Sequence, residues 1–132
     1  MDITRLAIVQ VPVADQDRSV AFYRDVLGME VVSDDLVMPG MRWVQVRSRV
    51  AGANLVLADW DGVGAPGSLR GLILQVDDAR AAAAHLRDHP VALGREDYDT
   101  PFGDFVEVAD PDGNGLTLWR PAPGMDIAAI EG

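Results

Sequence analysis

The chain nearly repeats itself at an offset of 63 positions, and this repeat constrains its fold more than any other feature. The matched positions are Val13 with Val76, Asp15 with Asp78, Leu55 with Leu118, and residues 21–25 (AFYRD) with residues 84–88 (AHLRD). Each copy reads as a strand, a helix and three further strands. The repeat therefore predicts a duplicated sheet unit folded around a shared cavity, which is an architecture suited to holding a small molecule.

Length and composition limit the class of protein. The 132 residues, of which 48% are apolar, predict a single domain over residues 1–132 with a real hydrophobic core. No apolar run is long enough to cross a bilayer, and the N-terminus has no basic segment followed by an apolar block. The absence of cysteine excludes disulfides, thiolate metal ligands and cysteine nucleophiles. These features predict a cytoplasmic protein with no membrane partner.

The charge balance is strongly acidic. Twenty-one Asp and Glu residues face eleven basic residues, all of them Arg, for a formal charge of −10. This charge disfavours nucleic acid as a partner, because binding phosphates requires clustered cations. It favours a cationic ligand through long-range steering, although solubility alone also explains it. Without lysine the chain has no residue for Schiff-base chemistry.

The pattern of apolar residues predicts the elements of both copies. Predicted strands cover residues 6–13, 29–33, 42–48 and 54–58, and then 71–76, 91–93, 105–109 and 116–120. Predicted helices cover residues 18–27, capped by Asp15 and ended by Gly28, and the segment from Asp78 to Arg87. Module one is expected over about 4–60, a Gly-rich linker over 61–70, module two over about 71–121 and a tail over 122–132.

Two segments carry a family resemblance. Residues 11–30 read VPVADQDRSVAFYRDVLGME, and a turn of Asp-Pro-Asp-Gly-Asn follows at 110–114 between two predicted strands. With these motifs the chain resembles the vicinal oxygen chelate superfamily, which includes glyoxalases, bleomycin resistance proteins and extradiol dioxygenases. The resemblance extends from about Leu6 to Pro121, nearly the whole chain.

The resemblance implies an α+β fold of two tandem βαβββ modules. These would form an eight-stranded, incompletely closed barrel with helices on the convex face and a cavity on the concave face. Homodimers are common in the family. Many members hold a divalent metal with four side chains, one from the first and one from the last strand of each module.

Alignment on the motifs puts Ile8, Asn54, Gly71 and Thr117 at the four metal-ligand positions. Two of these offer no side-chain donor and two offer only neutral oxygens, whereas divalent metals prefer carboxylates and imidazoles. The only histidines, His85 and His89, belong to the second helix, where we expect one to be partly buried and the other to lie at the helix end. The usual metal site is thus absent and no cofactor is expected, although a different site using Glu107 stays open.

Strand alternation predicts which side chains line the concave face, with Val44 and Val46 pointing to the opposite face. The predicted ligand-binding residues are Gln10, Trp43, Gln45, Arg47, Asn54, Phe105, Glu107, Thr117 and Trp119. Apolar walls with a few polar groups are typical of a small-molecule pocket. Alternatively, the aromatic residues fill a core, while Arg47 and Glu107 are solvated at the rim or pair with each other.

Further polar and aromatic residues fall in segments predicted to be loops. Trp60, Tyr98 and Phe102 either close over a ligand or pack their own loops down. Asp34 and Asp35 read as an acid pair in a loop, while Asp110 and Asp112 read as residues that shape the turn.

Two hypotheses of different class follow. The first is a metal-independent binding protein, similar to the bleomycin resistance branch, that sequesters a natural product, drug or toxin. The second is a lyase-, isomerase- or dioxygenase-like enzyme of the same superfamily, with Glu107 or Tyr98 as candidate catalytic residues for proton transfer. A lone Glu without an evident partner supports a mechanism weakly, so the pattern favours binding.

Overall fold

The chain forms two compact units, each built as a βαβββ module. The computed structural model describes residues 1–50, 52 and 54–126. The strands are β1 (Ile8–Pro12), β2 (Glu30–Met38), β3 (Met41–Arg47), β4 (Asn54–Ala58), β5 (Leu72–Gln75), β6 (Ala92–Thr100), β7 (Gly103–Ala109) and β8 (Gly115–Pro121). The helices are α1 (Gln16–Val20), continued by a π-helical turn (Ala21–Val26), and α2 (Ala79–Arg87). The predicted α+β class with two βαβββ modules is confirmed.

The first unit comprises residues 1–69 and the short segment 111–114. Its four strands form a sheet in the order β1-β4-β3-β2, in which β1 and β4 are parallel and the other pairs antiparallel. One sheet face is buried, with Val11, Val44 and Val46 at 1% exposure or less. Burial of such side chains stabilises the unit by about 1.5–3 kcal/mol for each one removed from water.

The second unit comprises residues 70–110 and 115–132, of which 127–132 lie outside the described residues. Its sheet has the equivalent order β5-β8-β7-β6, again with one parallel pair. Helix α2 packs on β7 and β8. It buries Ala79, Ala83 and Leu86, which recur at the three- and four-residue spacing of a single helix face.

Both helices are capped by the aspartates that the sequence predicts, although the first begins at Gln16 rather than at position 18. Asp15 accepts a hydrogen bond from the Arg18 N–H at 3.2 Å, and Asp78 accepts one from the Ala81 N–H at 3.0 Å. Each carboxylate satisfies a backbone donor that has no partner inside the helix. The first helix then widens into the π-helical turn, which turns the adjacent aromatic rings of Phe22 and Tyr23 both into the core at 4% and 0% exposure.

The sequence prediction was wrong about the length of β2 and β6. Asp34 and Asp35, predicted to be in a loop, lie within β2, and Tyr98, also predicted to be in a loop, lies within β6. Both strands are sheet edges, where charged side chains are tolerated because they reach water. Asp34 is in addition paired with Arg42 of the neighbouring strand at 2.8 Å.

Each of these edge strands carries two register shifts. In β2 they lie between Val31 and Ser33 and between Leu36 and Met38. In β6 they lie between Leu93 and Glu96 and between Asp97 and Thr100. An extra residue on one strand leaves a backbone N–H without a ladder partner and changes the direction of nearby side chains.

The offset of 63 positions, which relates β1 to β5, does not relate the last strand of module one (β4) to the last strand of module two (β8). Gln10 of β1 pairs with Val56, and Ile73, which lies 63 positions after Gln10, pairs with Thr117. The counterpart of Thr117 is therefore Val56 rather than Asn54. Because the difference is two residues, it preserves the alternation of the strand and leaves each side chain on its predicted sheet face.

The Asp-Pro-Asp-Gly-Asn turn connects β7 and β8, as the sequence predicted, and it also makes tertiary contacts that the sequence did not predict. Asp112 accepts hydrogen bonds from the Ala14 N–H and the Arg18 guanidinium, both at 3.1 Å. Gly113 has a positive φ of 97°, whereas Asn114 is fully buried and uses its amide for tertiary contacts. Within the ranges that the structure describes, no helix is long and apolar enough to span a bilayer.

Candidate functional site

The half-buried face of the first sheet carries the aromatic and amide side chains predicted for module one. Along β3, Val44 and Val46 are completely buried, while Trp43 and Gln45 are half-buried and Arg47 is exposed. The predicted alternation of this strand is confirmed. Gln10 and Gln45 both lie opposite Val56, and Arg47 lies opposite Asn54. These residues therefore share one face of one sheet.

Two tryptophans stack at one end of this face. The ring centroids of Trp43 and Trp60 are 6.0 Å apart with an angle of 12° between the ring planes. The Trp43 indole N–H donates to the side-chain oxygen of Gln45 at 3.0 Å, which fixes the orientation of that ring. Trp60 lies in the loop after β4, so this loop does bring an aromatic ring to the predicted face.

The second sheet repeats this arrangement. Phe105 and Trp119 are register partners on β7 and β8, and their rings stack at 6.4 Å with an angle of 19°. The Trp119 indole N–H donates to the Phe102 carbonyl at 2.9 Å. Glu107 and Thr117 form the next pair on the same face. The aromatic pair and the Glu107–Thr117 pair are thus two residues apart on the same face, a backbone spacing of about 7 Å.

Glu107 is held by the edge strand beside it. Its Oε2 accepts a hydrogen bond from the Arg95 N–H at 3.3 Å, within the first register shift of β6. A Cβ at Gly94 would lie 3.0 Å from this oxygen and 3.2 Å from the Glu107 Cβ. The missing side chain at Gly94 therefore leaves the space in which the Glu107 side chain lies.

Most charged side chains near these two sheet faces form ion pairs or hydrogen bonds with other side chains. Arg47 hydrogen-bonds Glu30 at 3.4 Å, and the Arg95 guanidinium pairs with Asp97. The Tyr98 hydroxyl donates to Glu96 at 2.7 Å, and its ring lies 4.1 Å below the Arg80 guanidinium. Burial is the largest cause that raises the pKa of Tyr98 above its ordinary value, and its bond to Glu96 adds to this.

The positions implied for metal binding do not suit a divalent ion. Ile8 and Asn54 are register partners, as are Ile73 and Thr117, so the strands bring together apolar side chains and neutral oxygens. Gly71 precedes β5 and is not the neighbour of Thr117. Across the described residues, no three His, Asp or Glu side chains cluster closely enough to hold a metal ion. The donor set therefore does not fit the group that the family commonly binds.

The two histidines lie together on the outer surface of the second unit. Their ring centroids are 4.8 Å apart. His85 is exposed, so the expectation of partial burial was wrong. The reason is helical geometry, because α2 turns Ala83 and Leu86 toward the sheet and position 85 away from it.

Sequence reasoning missed a cavity of about 420 Å³ in the first unit. It lies at the loop that follows β4 and is lined by Val13, Ala58, Asp59, Trp60, Asp61, Gly62, Gly64 and Pro66. Its Gly-rich sequence reads as a linker, and only the fold of this loop beside Val13, the residue after β1, creates the cavity. Trp60 is shared between this cavity and the stacked pair on the sheet face.

The two βαβββ modules and the faces they present define a protein of the glyoxalase type. The chain belongs to the Glyoxalase/Bleomycin resistance protein/Dioxygenase superfamily, whose sequence model matches residues 5–118. The resemblance noted from residues 11–30 and 110–114 is confirmed. No match was found among curated protein sequences.

Several solved structures share this fold with substantial identity. TnmS3, an antibiotic binding protein from Streptomyces sp. CB03234, is 38% identical over 92% of this chain and 99% of its own, with a TM-score of 0.85. A glyoxalase/bleomycin resistance protein from the same organism is 39% identical over 88% and 100%, with a TM-score of 0.79. A superfamily member from Sphaerobacter thermophilus DSM 20745 is 28% identical over 89% and 98%, with a TM-score of 0.81.

Proposed function

We propose that this protein is a metal-independent binding protein that sequesters an aromatic small molecule, such as an antibiotic or another natural product. The observation that carries the proposal is the stacked aromatic pair on the half-buried face of each sheet, Trp43 with Trp60 and Phe105 with Trp119. Aromatic side chains offer flat apolar surface that favours stacking with a flat ligand. The proposed ligand-binding residues remain the nine named from the sequence.

The comparison with relatives supports the class of ligand. TnmS3 is described as an antibiotic binding protein and matches nearly the whole chain. The neutral and apolar side chains at Ile8, Asn54, Ile73 and Thr117 support binding that does not depend on a metal. In this proposal the ligand is held by ring stacking together with hydrogen bonds to Gln45, Glu107 and Thr117.

An enzymatic function rests on fewer groups. Glu107 is exposed and bonded through one oxygen to the Arg95 N–H, so it keeps a second oxygen for a substrate proton. The Tyr98 hydroxyl is engaged by Glu96, and its raised pKa keeps it protonated at neutral pH. We therefore assign Tyr98 to the support of β6 and retain Glu107 as the candidate for proton transfer if turnover is found.

The proposal also includes a homodimer located in the cytoplasm. Relatives in the superfamily are commonly dimers, and the chain contains no cysteine that would benefit from an oxidising compartment. A net charge of −10 makes nucleic acid an unsuitable partner. Light scattering coupled to size-exclusion chromatography should give the mass of two chains, and a single-chain mass would contradict this part of the proposal.

The proposal is tested with a neutral flat probe, N-(anthracen-9-ylmethyl)acetamide. The anisotropy of its anthracene emission should rise to saturation on titration with the protein, with the same affinity in the presence of EDTA or of added Zn²⁺. Trp43→Ala and Trp119→Ala should each weaken binding by about tenfold, which is the loss expected for one stacking contact. Leu36→Ala is the matched control, because Leu36 is 72% exposed on an edge strand.

Two results would contradict the proposal. Failure of the probe to bind at its solubility limit would remove the aromatic faces as a binding site. Binding that requires added metal would make a metalloprotein the better description. Native mass spectrometry of protein purified without added metal supplies an independent measurement, since an organic adduct supports sequestration and a stoichiometric divalent ion opposes it.

A further inference from the structure

We infer that the Glu107 carboxylate, held in place by the Gly94–Arg95 bulge of β6, selects ligands that carry a protonated amine beside a flat ring system. This inference rests on the proposed binding of aromatic molecules and specifies the class of ligand. It is carried by three features of the second unit: the position of Glu107, the engagement of the nearest cation, and the bulge beside it.

The position of Glu107 places a negative charge next to the aromatic pair. Glu107 lies two residues from Phe105 on β7, and Trp119 is the register partner of Phe105 on the adjacent strand. Side chains two residues apart on a strand share a face and are separated by about 7 Å. A ring stacked on Phe105 or Trp119 can therefore place an amine on a one-carbon arm near the Glu107 oxygens.

The charge of Glu107 is not neutralised by a neighbouring cation. The adjacent strand β6 carries one basic residue, Arg95. Its guanidinium pairs with Asp97 and not with Glu107. Among residues 1–50, 52 and 54–126, none forms an ion pair with Glu107. In the first unit the corresponding face carries Arg47, which is already bonded to Glu30. Glu107 is thus available to a cationic ligand.

The bulge limits where the Glu107 side chain can lie. The Arg95 N–H, which the register shift removes from the strand ladder, donates to Oε2 of Glu107 at 3.3 Å. The carboxylate in turn satisfies this backbone N–H, so the contact that positions the Glu107 side chain also stabilises the bulge. Gly94 favours this arrangement, because a Cβ there would lie 3.0 Å from Oε2 and the carboxylate would have to shift to make room. One carboxylate oxygen is bonded to the backbone, which leaves the other to accept from a ligand.

The same device recurs at the other bulge of β6. Asp104 of β7 is buried at 8% exposure, and its Oδ1 accepts the Asp99 N–H at 2.7 Å. Asp99 lies within the second register shift and has a positive φ of 57°. In both places a carboxylate on β7 binds the N–H freed by a bulge on β6. Asp104 is buried, whereas Glu107 is exposed and is bonded to the backbone through Oε2 alone.

A matched pair of probes tests the inference. The cationic probe is 9-(aminomethyl)anthracene, and the neutral probe is its N-acetyl derivative, the compound used to test the proposed function. The wild-type protein should bind the amine about two- to fivefold more tightly than the amide, the factor expected for an accessible ion pair. Glu107→Gln should abolish this preference, so that the variant binds the two probes with affinities within about twofold of each other.

Two further variants separate the position of the carboxylate from its charge. Gly94→Ala displaces the Glu107 side chain without changing the net charge, so the preference for the amine should fall while the neutral probe still binds. Asp88→Asn is the matched control for net charge, since it removes one exposed carboxylate at the end of α2. This variant should keep the full preference. Circular dichroism and thermal unfolding establish that each variant is folded.

The outcomes distinguish the inference from the function on which it rests. Equal binding of both probes to the wild-type protein, or a preference that survives in Glu107→Gln, would overturn the inference and leave the proposed function standing. Loss of the preference in Asp88→Asn would also overturn it, because a general charge effect would then explain the selectivity. Failure of both probes to bind would overturn the proposed function itself.

Discussion

The side chain of Asn114 binds the backbone of two segments that are distant from it in sequence. Its Nδ2 donates to the Pro12 carbonyl at 2.8 Å, and its Oδ1 accepts from the Leu69 N–H at 3.0 Å. The side chain is completely buried, and the segment 111–114 belongs to the first compact unit. One amide thus satisfies a backbone acceptor at the end of β1 and a backbone donor beyond the Gly-rich loop.

Asn114→Ala should lower the free energy of unfolding by about 1–3 kcal/mol, because it removes a buried hydrogen bond to the Pro12 carbonyl and a part-buried one from the Leu69 N–H. Urea denaturation followed by tryptophan fluorescence measures this loss. Gln10→Ala, which removes an exposed amide from β1, is the control and should change stability by less than about 0.5 kcal/mol. Equal stability of the two variants would show that the Asn114 contacts contribute nothing.

Gly67 and Gly71 form a matched pair for separating backbone strain from steric overlap. Both have a φ of 82°, but a Cβ at Gly67 would lie 2.0 Å from the Asp112 carbonyl oxygen, whereas one at Gly71 would meet no atom within 4 Å. Gly71→Ala should cost about 1–2 kcal/mol for the left-handed backbone alone. Gly67→Ala should cost at least about 2 kcal/mol more. Similar thermal unfolding midpoints for the two variants would mean that a Cβ at position 67 causes no steric overlap with the Asp112 carbonyl.

The Asp34–Arg42 pair should make stability depend on pH in the acid range. Hydrogen bonds from Arg42 hold the pKa of Asp34 below its ordinary value. A carboxyl whose pKa is lowered in the folded state stabilises the protein above the unfolded pKa of about 4, and this contribution is lost as the pH falls through the folded value. Asp34→Asn should therefore reduce stability at neutral pH and have a smaller effect at about pH 3, which is below the unfolded pKa.

The expected loss in Asp34→Asn is about 0.5–1 kcal/mol, because both partners are partly exposed and solvent screens their attraction. Urea midpoints at the two pH values measure it. Asp61→Asn, at an exposed loop position, serves as the control and should be neutral at both. A loss that persists unchanged in acid would mean that the Asp34 side chain stabilises the strand by some means other than its charge.

Trp119→Phe separates the ring of this residue from its N–H group. The variant keeps an aromatic partner for Phe105 but loses the indole donor that binds the Phe102 carbonyl at 2.9 Å. Because this hydrogen bond is exposed, unfolding should become easier by no more than about 1 kcal/mol. Binding of the neutral anthracene probe should change by less than about threefold. A tenfold loss, equal to that expected for Trp119→Ala, would mean that the ring position depends on the indole N–H.

Much of the fold follows from local sequence signals. Asp15 and Asp78 begin their helices as predicted, since an N-cap requires only a carboxylate near the first turn. The bounds of β4 match the prediction, because its apolar run is continuous. Predictions failed where tertiary contacts outweigh local preference. Asp34 belongs to a strand because a neighbouring Arg pairs with it, and no pattern within β2 itself indicates that partner.

The sequence alone determined the superfamily, the duplicated module and the alternation that places Trp43, Phe105 and Trp119 on half-buried faces. Those features depend on periodicity and on short motifs, which are local. Only the tertiary structure decided that Trp60 stacks on Trp43, that Asn114 binds Pro12, and that a bulge at Gly94 holds Glu107. These arrangements join residues through register shifts and loop closure, and their energies depend on distances between chain segments that the order of residues does not specify.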